Sequence, residues 1–273
     1  MKELSTRTIS GAIYITLLIV SLYWQQALIV LFFGFGLVCL AEFNKLIQLK
    51  STVPYFIFAL LYLGFSYWPI LLEPSPGFYE SLQILHVITI FVQLILIKDL
   101  FSEKTIPLFS SKRFIITTFY LSSAFVFLFY IANYNNAFTP LLLLGVFILI
   151  WINDTFAYLV GKNFGKQKLF PSVSPKKTVE GFLGGLFFSC VASYFIANFT
   201  ELLDSTSWLI MSIIVSVFGT LGDLIESKFK RQADVKDSGV IMPGHGGLLD
   251  RLDSIIFAAP FIYLFLRITI YVS

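Results

Sequence analysis

The chain's 273 residues are 57% hydrophobic and only 13% charged, with a mean hydropathy of +0.84, whereas an ordinary soluble domain is about 25% charged. Such a chain cannot hide its apolar surface from water, which excludes a soluble globule, and its 31 phenylalanines suit a lipid-facing surface with interfacial anchors. A net charge of +3, with no basic tail or Arg-rich arm, removes the argument for a nucleic-acid partner.

A membrane helix needs about 20 largely apolar residues, and charge, Pro and Gly punctuation divides the chain into nine candidates. The first runs from Thr8 to Leu22 and the second from beyond Gln26 through Ala41. Lys2 and Arg7 ahead of this tract resemble the start of a secretory signal. The uncharged stretch continues to Ala41 without a small-residue cleavage site, so retained helices are predicted. The third and fourth span Pro54–Leu72 and Ser81–Ile97. Phe114–Asn153 is long enough for two passes, with Asn133, Tyr134, Asn135 and Asn136 as the polar turn between them. Gly181–Thr200, Ser207–Leu224 and Ser254–Tyr271 complete an all-α, polytopic membrane fold. About four helices fall in residues 1–113 and about five in 114–273. Cys39 and Cys190 lie inside apolar tracts and read as structural thiols.

Of the 19 Lys and Arg residues, all but Arg267 fall on one side of this nine-helix alternation, while the opposite loops hold Glu73, Glu80, Glu201 and Asp204. Basic residues concentrate in cytoplasmic loops, so the N-terminus is predicted to be cytoplasmic and the C-terminus on the far side. Two charged segments on the basic side, 161–180 and 226–253, are rich in Gly, Pro and Ser and read as site-forming loops.

In the second of these, Asp223 and Glu226 are three residues apart at a helix end, as are Asp250 and Asp253 at a helix start, so each pair shares a helix face. Clustered carboxylates repel unless a cation intervenes. Hard oxygen donors without a Cys or His pair favour Mg²⁺ over zinc. Between the pairs stand Lys228, Lys230, Arg231 and Lys236, then Pro243, Gly244, His245, Gly246 and Gly247. Those glycines let backbone N–H groups face an anion ahead of a helix N-terminus. His245 would bind phosphate or shuttle a proton, whereas His86, in apolar helix four, reads as structural. The first loop carries Ser174, Lys176, Lys177, Thr178 and Glu180, with Asp154 ending the preceding helix. Hydroxyls and lysines beside a helix start form a phosphate-gripping composition, though positive-inside statistics alone would also place lysines there. Gly161, Gly165 and Lys166 do not make a P-loop, because the spacing is one residue short and Gln167 replaces the hydroxyl residue. Gly181, Gly184 and Gly185 read as close helix packing.

The run Ser227, Lys228, Phe229, Lys230, Arg231, then Lys236 and Asp237, then His245 through Asp253 resembles the signature of phosphatidate cytidylyltransferases, also called CDP-diacylglycerol synthases. Met242 is a mild departure from that pattern. Asp154, Ala157, Tyr158, Gly161, Gly165 and the stretch Ser174–Gly181 are also similar to the family, whereas the first half matches only as generic membrane helices. The resemblance implies transfer of the cytidylyl group of CTP to phosphatidic acid in an inner membrane, with pyrophosphate released. It further implies metal at Asp223, Asp250 and Asp253, with two metal positions of which one takes Mg²⁺ and the other a divalent or monovalent cation. Lys230, Arg231, Lys236 and Arg251 would neutralise pyrophosphate and lipid phosphate, with Asp237 and His245 beside them. Ser174, Lys176, Lys177, Thr178, Gly246 and Gly247 would grip substrate phosphates, Asp154 and Glu180 would orient the lysines or join the metal shell, and a homodimer is implied. A CTP-dependent polyprenol kinase and an anion transporter are the competing readings. The transporter needs ionisable residues deep in the bundle, where the sequence places only Arg267.

Overall fold

The computed structural model describes the backbone of residues 2–73 and 75–272 and the side chains of residues 8–73 and 75–270. The side chains of Lys2 and Arg7, counted in the topology, lie outside these. Nine helices follow in chain order among the described residues: α1 (Lys2–Ser21), α2 (Gln25–Leu46), α3 (Val53–Leu71), α4 (Phe78–Phe101), α5 (Ser110–Ala132), α6 (Pro140–Phe164), α7 (Val179–Thr200), α8 (Ser205–Gln232) and α9 (Leu249–Val272). Eight are long and apolar enough to cross a membrane. In α1 the apolar stretch is the shorter Thr8–Ser21.

Helix α5 forms the centre. Tyr120, Phe125 and Phe127 on it are fully buried, and it packs against α2, α3, α4 and α9. The outer helices turn large apolar side chains outwards, with Leu60 77%, Phe91 63% and Phe199 85% exposed, a pattern affordable only where lipid is the solvent. Helices α6 and α7 approach closely because α7 carries Gly181, Gly184 and Gly185 at the contact. A Cβ at Gly181 would lie 2.7 Å from the Ala157 carbonyl oxygen, and one at Gly185 would lie 2.6 Å from that of Asn153, which is the small-residue packing expected of membrane helices. His86 is buried between the rings of Phe127 and Tyr263, with Nε2 2.8 Å from the Pro260 carbonyl oxygen, in keeping with the structural role read for it.

The helices run past the boundaries that hydropathy suggests, because a charge ends an apolar window without ending a helix. Helix α2 extends five residues beyond Ala41, α6 carries Asp154 ten residues before its end, and α8 continues eight residues past Leu224. The charged loop 161–180 is also not wholly irregular. Two short strands, β1 (Lys168–Phe170) and β2 (Ser174–Thr178), pair antiparallel with Lys168 opposite Thr178 and Phe170 opposite Ser174. Pro175 is tolerated because a two-stranded ribbon has only edges.

Hydrogen bonds gather the charged ends at one end of the bundle. Lys228 on α8 donates to the Asp99 and Ser102 carbonyl oxygens at the C-terminus of α4, at 2.6 Å each, where the helix dipole favours a cation. Gln232 clamps the backbone of Ile106 through both its amide nitrogen and its oxygen. Ser10 on α1 donates to the Pro243 carbonyl oxygen, and Arg113 on α5 to that of Gln48.

Candidate active site

The N-terminal half of α9 packs against the C-terminal half of α8, and this contact brings together the acids that the sequence placed three apart. Gly222 makes the approach possible, since a Cβ there would lie 2.7 Å from the Asp253 carbonyl oxygen. Carboxylate oxygens of Asp223, Glu226 and Asp253 lie within 4.8 Å of one another. Glu226 is fully buried and Asp253 nearly so. Lys230 Nζ contacts Glu226 Oε2, while Glu226 Oε1 is buried without a hydrogen-bond partner. Asp223 accepts from Ser227 Oγ at 3.1 Å and pairs with Lys177 Nζ at 2.6 Å, so the first charged loop meets the second at this point.

Asp250, expected beside Asp223 and Asp253 as a metal ligand, stands apart from the cluster. Its Oδ2 accepts from the backbone N–H groups of Ser238 and Gly247, at 2.9 and 2.7 Å, and lies 2.9 Å from Ser238 Oγ. Its Oδ1 accepts from Lys230 Nζ at 2.7 Å. Lys230 therefore sits buried between Glu226 and Asp250, paired on both sides as a buried charge must be, and does not extend towards solvent.

The glycine loop is likewise occupied from within. Gly247 N–H points at Asp250, and the Leu248 and Leu249 N–H groups at the start of α9 donate to Glu42 on α2, at 3.2 and 2.8 Å. Met242 and Gly246 close a tight turn, with the Met242 N–H bonded to the Gly246 carbonyl oxygen and Gly244 and Gly246 at φ +77° and +88°, a conformation that favours Gly. His245 Nδ1 is 2.8 Å from Ser10 Oγ, and Arg251 donates to the His245 carbonyl oxygen at 3.0 Å. Lys236 and Asp237 are exposed.

In the hairpin loop, Thr178 caps α7 by accepting the Gly181 N–H at 3.1 Å, as an N-cap hydroxyl does. Glu180 accepts from the Lys166 and Gln167 N–H groups at 3.0 and 3.1 Å and so closes the base of the hairpin. Arg231 reaches the Val173 and Val235 carbonyl oxygens, tying the hairpin tip to α8. Lys176 is exposed and Ser174 half-buried.

A cavity of about 210 Å³ at this end is lined by the polar Asp154, Asp250, Asp253, Arg251 and His245 and by the apolar Gly11, Tyr14, Ile15, Ile150, Trp151 and Met242. Sequence reasoning missed three parts of this charged end of the bundle, of which only the residues of α1 line the cavity itself. Glu42 lay one residue beyond the predicted end of the second helix. Glu226 was noticed but not assigned as a ligand. Helix α1 reads as a generic apolar segment, and only the fold brings Gly11 and Tyr14 to the cavity.

Residues 5–269 match the cytidylyltransferase family. The phosphatidate cytidylyltransferase of Bacillus subtilis is 34% identical over 272 residues, covering 98% of this chain and 99% of the relative. Those of Staphylococcus aureus and Staphylococcus saprophyticus are 48% and 49% identical over 126 residues, covering 45% of this chain and 48% of each relative. A match of this extent, on a bundle whose acids, lysines and glycine loop converge at one end, establishes that the chain belongs to the cytidylyltransferase family.

Proposed function

We propose that this chain transfers the cytidylyl group of CTP to phosphatidic acid, giving CDP-diacylglycerol and pyrophosphate, with the charged end of the bundle and the N-terminus on the cytoplasmic side of an inner membrane. One observation carries the reading: a carboxylate cluster that Lys177 of the hairpin contacts at Asp223 reaches, through Asp253, a cavity lined in part by apolar residues of α1 and α6. A polar nucleotide and an amphiphile need such a two-sided site. At about 210 Å³ the cavity is smaller than the roughly 300 Å³ at which whole-ligand pockets begin. It therefore takes the reacting phosphates, leaving the nucleoside towards water and the acyl chains towards lipid.

The donor chemistry fits a divalent ion. Asp223, Glu226 and Asp253 offer three hard oxygens close together, and Glu226 Oε1 is a buried acceptor with no hydrogen bond. These three would hold Mg²⁺, with Asp154, which lines the cavity together with Asp253, available to a second cation. When bound, the metal would neutralise triphosphate charge and stabilise charge developing at the α-phosphate.

The chain's own residues supply the rest. The nucleophile is a phosphatidate oxygen that is already ionised, so no strong general base is needed. It forms a bond to the α-phosphorus as the oxygen bridging the α- and β-phosphates departs with pyrophosphate. The obstacle is bringing two anions together, and fixed cations remove it. Lys177, held at Asp223, and exposed Lys176 face the triphosphate from the hairpin. Arg251, anchored through the His245 carbonyl oxygen, faces the lipid phosphate, and exposed Lys236 adds a further cation.

The test supplies purified protein with phosphatidic acid, Mg²⁺ and CTP labelled separately at the α and γ positions. Label from the α position should enter lipid with pyrophosphate release, and EDTA should stop it. Entry of γ label would make the enzyme a kinase. Retention of both labels in intact CTP by folded protein would move an anion transporter to the front. The homodimer implied by the family resemblance is checked by the mass of the detergent-solubilised particle.

A further inference from the structure

Glu42 is 5% exposed, and among the described residues no Lys or Arg forms an ion pair with it. A carboxylate so placed needs compensation, and it receives this from the start of α9. Oε1 accepts the Leu248 N–H, Oε2 accepts the Leu249 N–H, and Ser238 Oγ lies 3.4 Å from Oε2. The fit excludes side chains around it. A Cβ at Gly239 would lie 2.3 Å from Glu42 Oε1, and one at Gly247 would lie 2.6 Å from Oε2. The Glu42 carboxylate therefore leaves no room for a side chain at 239, and with Ser238 Oγ, which is nearer still, leaves none at 247.

We infer that Glu42 is a positioning residue for the acid cluster, a built-in anion that fills the phosphate-like site at the N-terminus of α9 and thereby fixes Asp253 and Glu226. Helix N-termini of this kind bind anions readily, and here the protein supplies its own. The linkage to the cluster is short. Ser238 Oγ stands between Glu42 and Asp250, Asp250 holds Lys230, and Lys230 holds Glu226. Asp253 follows one helical turn after Leu249, so fixing the first turn of α9 fixes its direction. Substrate phosphates are accordingly excluded from the glycine loop's amides and directed to the Lys177 and Arg251 side. The inference rests on the proposed metal-assisted cytidylyl transfer, but the placement of Glu42 is testable without it.

The variants are Glu42→Gln, Glu42→Asp and, from outside the cluster, Gly239→Ala. Each is purified as the full chain and measured for thermal melting, Mn²⁺ dissociation constant by electron paramagnetic resonance, and kcat and KM for CTP. Gln keeps the shape but sets an amide N–H₂ against a backbone donor. It should weaken Mn²⁺ binding by about tenfold, as loss of an outer hydrogen-bonding partner does, and lower kcat while KM for CTP stays within about twofold. Glu42→Asp should recover most of both losses. Should Glu42→Gln fail to insert, Gly239→Ala, which presses on the same carboxylate, should give the same signature in weaker form. Unchanged Mn²⁺ affinity per folded molecule in these variants, with kcat falling only as the folded fraction falls, would reduce Glu42 to a structural cap and overturn the inference. Wild-type protein that binds Mn²⁺ and responds to Glu42→Gln as expected, yet forms no CDP-diacylglycerol, would overturn the cytidylyltransferase reading alone.

Discussion

The two charged segments have similar compositions and opposite economies. The hairpin segment, 161–180, closes itself with two residues, Thr178 and Glu180, and leaves Lys176 exposed and Lys177 reaching the acid cluster. The segment 226–253 engages many of its polar groups in internal bonds: Lys228 in the end of α4, Lys230 between two acids, Asp250 around Ser238 and Gly247, and glycine-loop amides on Asp250 and Glu42. A dense run of Asp, Lys, Arg and Gly thus signals a site without saying which members touch substrate. In the proposed reading, most of the second segment builds the site, and the few groups it leaves facing the cavity, with the hairpin lysines, would do the binding.

Several variants would break or sharpen this contrast. Asp253→Asn and Glu226→Gln should have the largest effect, lowering kcat by more than about a thousandfold (about 4 kcal/mol); the melting temperature should stay the same or rise in Asp253→Asn, since a buried repulsion is relieved, and fall in Glu226→Gln, which leaves Lys230 with Asp250 alone. Lys230→Met belongs to the building class. It leaves two buried acids without their cation, so unfolding in detergent should become easier by about 3–5 kcal/mol, with activity lost in step. Asp250→Asn should show both signatures together, a lower melting temperature and reduced kcat, because it holds the loop and Lys230. Lys176→Ala should raise KM for CTP several-fold and leave melting unchanged. At the far end of α8, Asp204→Ala should leave turnover intact. Hydrogen bonds from Ser207 and Thr206 hold the Asp204 carboxyl below the usual carboxylate range, so its cap stabilises the folded state above that range and is lost as pH falls through the lowered value. The melting temperature should therefore drop slightly in the variant at neutral pH, and the gap to wild type should close in acid.

Hydropathy and charge alternation made the membrane bundle legible, because lipid forces backbone groups into helices and leaves few other solutions. The Asn133–Asn136 turn that splits the long apolar tract stands where the polar cluster suggested. The helix ends were less legible, and so Glu42 was passed over: hydropathy stops at a charge, whereas a helix continues when its charge finds partners on a neighbour. The acid cluster was readable as spacing, three residues on each helix, but spacing does not say which carboxylates meet. Packing through Gly222 brings Asp223, Glu226 and Asp253 together, and loop hydrogen bonds draw Asp250 aside. The hairpin was invisible because its strands are three and five residues long, too short for alternation to register.

The division between building and binding residues is tested most directly by Mn²⁺ titration of the wild type, Glu226→Gln and Asp250→Asn, each as folded, detergent-solubilised protein. The account predicts that Glu226→Gln loses more than about a hundredfold in affinity, whereas Asp250→Asn stays within the tenfold range of a residue that acts through hydrogen bonds to others. Normal binding by Glu226→Gln together with lost binding by Asp250→Asn would contradict it, returning Asp250 to the ligand set and Glu226 to a buried partner of Lys230.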